Sequence, residues 1–294
     1  MTKILSILAL LAAAGGAAQA QVPLSEADFA AGLQGIRIQA AAAGHALAAG
    51  VQARAQQAPD PQRLIGSTLV AMNDQPGTGE LLVTWLRERQ AVVEFSGQAQ
   101  GRSAHAWLGA VPAVYLSPAL AEPPSLRYLA VYVAKETAEL MLKDFPDSAE
   151  RRYIVASRMA ESFFELGGTR MTMEDIDGHK DEAAAQAIRL WVEHDPSGGV
   201  DYLKRQGVPT LAEVGAKSSA EAGRLVNLKY AIEQMLTVPN DPNAESLRAE
   251  LAQTEAVLAE AQKSAAAAAA AQKEFAEFQT REQTWLWEHQ GTLQ

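Results

Sequence analysis

Residues 244–289, AESLRAELAQTEAVLAEAQKSAAAAAAAQKEFAEFQTREQTWLWEH, contain neither glycine nor proline. Alanine, glutamate, glutamine and leucine fill most of the run, so little in it opposes a helix once one has started. Leu247, Leu251, Thr254, Leu258, Ala261, Ala265 and Ala268 succeed one another at alternating steps of four and three. That spacing draws them into one seam suited to a partner helix. The unbroken alanines from Ala265 to Ala271 permit close backbone approach while burying little area. Phe275, Phe278, Trp285 and Trp287 add an aromatic end that is costly to leave in water. A long helix over 241–290 is therefore expected. It is either a terminal helix or hairpin laid on the rest of the chain, or a coiled coil pairing with a protein partner or a second copy.

Upstream, Asn240-Asp241-Pro242-Asn243 marks a boundary. Between Pro123 and that point, helical stretches alternate with breakers. Ser125 is placed to cap a helix through Lys143, and Asp147 or Ser148 to cap another that stops at Gly167-Gly168. A third helix is expected over 181–194 and is broken by Asp195-Pro196-Ser197-Gly198-Gly199. Others are expected near Tyr202 and over 218–236. Toward the N-terminus, residues 78–90 read as helical and 62–72 as helical or extended, and Ser25 to Gln57 reads as a helix weakened by four glycines.

Strand signals are confined to the middle. Ala91-Val92-Val93-Glu94-Phe95 is β-rich, and Val111 to Leu116 is a second short strand, with Pro112 pointing to an edge position or a strand start. The polar stretch between them reads as a hairpin or a wider loop. The expected fold is thus mostly α, of α+β type. It comprises a helical domain over 25–237 with a two- or three-stranded β element, followed by the long C-terminal helix.

Composition narrows the function. Acidic residues outnumber basic ones by ten and aromatics are 6% of the chain, which disfavours nucleic acid and anionic lipid as partners and an all-β fold. There is no cysteine, so neither disulfides nor a cysteine-borne lipid anchor is available. Lys3, the apolar run Ile4 to Ala14 and Ala18-Gln19-Ala20 stand in the order of a secretory signal peptide over 1–20. The working chain is expected to begin near Gln21 as a periplasmic or secreted protein, without membrane insertion once the signal is cleaved.

The stretch Val111 to Gly168 places a short strand, Ser117-Pro118, an apolar helix containing Lys135-Glu136-Thr137-Ala138-Glu139, and a helix with Glu161 and Glu165 in that order. It resembles the core of zincin-type metallopeptidases, in which a strand precedes an H-E-x-x-H helix and a further helix supplies a third metal ligand. The resemblance spans about sixty residues and sets Glu136 at the catalytic glutamate position. It places any divalent metal on Glu139 and Glu161. Lys135 and Glu139 occupy the two histidine positions, and a protonated amine does not ligate zinc. A degenerate, non-peptidase domain with a binding or scaffolding role is expected, with no cofactor assigned. The alternatives are a helical interaction protein and a metallohydrolase with a carboxylate-rich site.

Helical geometry puts Glu136 inside the apolar stripe of Leu129, Val133 and Leu140. It therefore needs a partner, and Arg158 is the expected one, while Lys135 and Glu139 form a solvated pair. Glu161 and Glu165, at i,i+4, are candidates to join Glu136 around a hard metal ion. Glu174-Asp175-Ile176-Asp177-Gly178-His179 lacks the spacing of a calcium loop and reads as an acidic turn capping the next helix. The five histidines lack metal-ligand spacing. Neither a Gly-x-Ser-x-Gly nor a phosphate-binding glycine loop occurs.

Overall fold

The computed structural model describes residues 61–99, 103–238 and 242–288. The segment expected to be a signal peptide, 1–20, and the helix expected over Ser25 to Gln57 lie outside them. The protein is mostly helical, with a small three-stranded sheet and a long C-terminal helix. Its described residues fall into two compact units. One holds residues 61–141 and 155–192, the other 142–154 and 193–288.

The first unit begins with helices α1, Pro61–Asn73, and α2, Thr78–Glu88. Leu64, Ile65, Thr68, Leu69 and Met72 form the buried stripe of α1 at helical spacing. Gly79 must be glycine, because a Cβ there would lie 2.4 Å from the Met72 carbonyl oxygen. Strands β1 (Val92–Phe95), β2 (Ala104–Leu108) and β3 (Pro112–Leu116) follow.

Their order in the sheet is β1-β3-β2, with β1 parallel and β2 antiparallel to β3. The strand containing Val114 is therefore central, not an edge. Pro112 is tolerated as its first residue, opposite Leu108, where the missing N–H interrupts no interior rung. The polar stretch before it supplies a third strand. Its Ala-His-Ala-Trp-Leu composition carries little β signal, and pairing with β3 is what makes it one.

Helix α3, Leu126–Met141, packs on α1, α2, β2 and β3. Leu129, Ala130, Val131, Val133 and Ala134 are all fully buried, so the apolar stripe widens over the middle turns of the helix, with Lys135 and Glu139 left half-buried. Ser125 caps it, accepting from the Tyr128 N–H at 3.0 Å. Helix α4, Ala149–Glu165, ends at Gly167 (φ +80°). The Gly168 N–H bonds to the Phe163 carbonyl and that of Gly167 to the Phe164 carbonyl, both at 2.9 Å, closing the helix in a Schellman turn. Helix α5, Glu182–Glu193, completes this unit.

In the second unit, α6 is Pro196–Arg205, α7 is Leu211–Leu236 and α8 is Ala244–Glu288. Helix α5 does end at Glu193, before the expected breaker 195–199, but the glycine pair 198–199 is itself helical. It lies inside α6, which Asp195 caps through the Gly198 N–H at 2.7 Å. The buried Tyr153 ring occupies the space where a Cβ on Gly199 would sit, 2.2 Å away. Helix α7 starts seven residues before the expected Ser218, because Thr210 and Glu213 form a reciprocal capping box. Helices α7 and α8 run antiparallel. Ser218 meets Ser264 at 2.9 Å and Lys229 meets Glu255 at 2.6 Å, and a Cβ on Gly215 would sit 3.4 Å from the Ala268 Cβ. The seam expected from spacing faces α7, so its partner helix is in the same chain. No helix among the described residues is long and apolar enough to cross a membrane.

Candidate functional site

Helix α3 carries Glu136 into the interior, where it is 4% exposed. A carboxylate there needs a counter-charge, and Lys135 supplies it, donating from Nζ to Glu136 Oε1 at 2.5 Å. Two expectations are corrected by this geometry. Lys135 turns to Glu136 rather than Glu139. Arg158 does not reach Glu136, because it is held by Glu161. The lysine stem is long enough to fold back along the helix, and the buried acid is the more demanding partner. Glu139 is half-buried one turn farther along.

Glu161 is 1% exposed. Its Oε2 accepts from Arg158 Nη1 at 2.6 Å and from the Thr78 hydroxyl, while Arg158 Nη1 also donates to Thr78 Oγ1 at 2.9 Å. Glu165 reaches the start of α2, where Gly77 offers no side-chain cap. Its two oxygens accept from the Thr78 and Gly79 N–H groups, both at 2.8 Å. It thus satisfies two orphan donors and places a negative charge at the positive end of the helix. The acids considered for a carboxylate cluster are each engaged by donors, and Glu161 and Glu165 both bond Thr78. Glu136 meets an ammonium, Glu161 a guanidinium and a hydroxyl, and Glu165 a helix N-terminus. Among the described residues, no group of three or more histidine, aspartate or glutamate side chains is set to hold a metal ion.

The acidic turn before α5 forms a second polar cluster. Asp181 caps α5, its Oδ1 accepting from Ala183 and Ala184 N–H at 3.0 Å. Its Oδ2 accepts from Tyr128 Oη at 2.7 Å and from the Tyr132 hydroxyl. Asp177 accepts from Ser125 Oγ at 2.7 Å and Arg127 Nη2 at 2.9 Å. The His179 ring stacks on Tyr128, with centroids 3.8 Å apart, and its Nε2 lies 2.7 Å from the Pro123 carbonyl. The tyrosine pair is the part that sequence reasoning missed. Its available signal was the i,i+4 placement of Tyr128 and Tyr132 on a helix followed downstream by an aspartate helix cap.

Electrostatics in this cluster set a pH window. Burial, then the bonds to Asp181, push the Tyr128 phenol far up and the Tyr132 phenol up to about 12. For Asp181 burial acts upward, but the phenols and the two N–H donors outweigh it and hold the carboxyl below its usual value of 3.8. Both phenols bind protons more tightly folded than unfolded, so their contribution is full below about pH 10 and is lost as pH rises toward 12. The Asp181 contribution is full above pH 3.8 and is lost as pH falls through its lowered folded value. Thermal melts across pH are expected to show a plateau between these limits. Tyr132→Phe should weaken the alkaline fall; an unchanged alkaline limb would contradict this assignment.

Comparison of the chain with protein families, with curated proteins and with solved structures finds no match in any of the three. The site must be read from its own geometry.

Proposed function

We propose that the protein works outside the cytoplasm as a catalytically degenerate, zincin-type metallopeptidase-like domain with a binding or scaffolding role. One observation carries this reading. The residue at the catalytic glutamate position, Glu136, is buried and bonded to Lys135, which stands where the first metal-binding histidine would be. A general base must be free to take a proton from a bound water, and a carboxylate bonded to an ammonium is not. The chain order of strand, helix and helix supports the likeness, as does the packing of β3 on α3. The export expectation rests on the residues of 1–20 alone.

The test is metal content and peptide hydrolysis of the purified chain beside Glu136→Gln. Neither protein is expected to hold stoichiometric zinc or to cleave peptides. Stoichiometric zinc together with hydrolysis that disappears in Glu136→Gln would restore an enzyme.

A helical interaction protein is the second reading, favoured by Val226 and Tyr230 standing exposed at i,i+4 on α7. The seam of α8 faces α7, so a partner would need another surface of the hairpin. Light scattering of the full chain separates the cases, since an oligomer that Tyr230→Lys dissolves would favour this reading.

A further inference from the structure

Between α4 and α5 the chain runs from Gly167 to Lys180 with Ile176 as its only large buried side chain. Met171, near its middle, is 91% exposed. The segment holds its shape internally. Ile176 and His179 exchange backbone hydrogen bonds at 3.0 Å, and Asp175 Oδ1 accepts from the Gly178 N–H at 2.7 Å. Polar catches tie it to the start of α3. Arg127 reaches both of its ends, donating to the Gly167 carbonyl at 2.8 Å and to Asp177 at 2.9 Å. Ser125 bonds Asp177, and His179 stacks on Tyr128. Glu174 adds an ion pair to Arg189 of α5.

The geometry points to a strap: residues 169–180 open as a unit about Gly167-Gly168 and the start of α5, uncovering the Tyr128 face of α3 while the helices stay folded. A segment with one apolar anchor and a few partly exposed polar ties has a low opening free energy compared with a core helix. The strap begins beyond a fixed point, because Gly168 is packed on the Phe163 ring and its N–H bonds the Phe163 carbonyl, so the helix end holds while the segment after it moves. Tyr128 is 5% exposed with the strap closed, and losing the His179 ring bares one face of the phenol. The strap does not depend on the peptidase-like reading, since it is built from Ser125, Arg127 and the 167–180 segment.

Amide hydrogen exchange and tyrosine nitration of the full chain test it. Peptides covering 169–180 should exchange ahead of those from α3 and α4. Arg127→Met should speed their exchange at least roughly tenfold, the loss expected for charge-assisted hydrogen bonds, and raise Tyr128 nitration in step. Exchange in α1 to α3 should be unchanged. Asp177→Asn, which removes the charge but keeps the backbone conformation accessible, should act in the same direction if Arg127→Met folds poorly. The proposal is overturned if the segment exchanges together with α3, if both variants speed α3 equally, or if Tyr128 stays unreactive while the segment exchanges.

Discussion

Arg158→Met is expected to destabilise the protein by about 3–5 kcal/mol, the cost of stranding a buried carboxylate without its counter-charge. Glu161 is 1% exposed and takes its charged donor from Arg158 at 2.6 Å. The same guanidinium also bonds Thr78, the first residue of α2, so the loss propagates to the helix start. Methionine conserves much of the volume, which isolates the electrostatic effect from cavity formation. Urea unfolding measures it, and Arg158→Met with Glu161→Gln should recover much of the deficit. A loss under about 1 kcal/mol, the range of an exposed ion pair, would show that Glu161 is hydrated rather than sealed.

Leu251→Asp combined with Leu258→Asp should cost on the order of 3 kcal/mol and lower the melting temperature. The contacts Ser218–Ser264 and Lys229–Glu255 fix an antiparallel register. Carried along the pair, that register sets Leu225 across from Leu258 and Ile232 across from Leu251. Leu225 and Ile232 are 4% and 2% exposed, so each aspartate would face an apolar side chain with no donor of its own. Far-ultraviolet melting of the full chain checks it. An unchanged melt would mean that this part of α8 is a solvated helix.

How much of this was legible in the sequence differs from element to element. Helix α8 was readable because its seam is local: side chains three and four apart share a face whatever they meet. The same holds for the caps at Ser125 and Ser148 and for the glycine stop after Leu166, since each bonds within a few residues. The strand at β2 was not readable, because Ala104 to Leu108 becomes a strand only by pairing with β3. Nor was the central place of β3, which depends on β1 crossing over to pair in parallel on its other side.

Charge partners divide along the same line. That Glu136 would be buried followed from helical periodicity, but periodicity does not say which cation answers it. Both buried pairs are local: Arg158 takes Glu161 three residues along its own helix, and Lys135 takes the adjacent Glu136. Glu165 caps a helix 86 residues earlier in the chain, and Tyr128 and Tyr132 meet Asp181 across about fifty residues. The sequence by itself determined most of the described helices from Ser125 onward and that an acid sits in the apolar stripe of α3, while it left 62–72 open between helix and strand. Only the tertiary structure decided the strand order, the Glu165 cap on α2 and the tyrosine–Asp181 cluster, because those depend on which distant groups arrive within hydrogen-bond range once the apolar faces have packed.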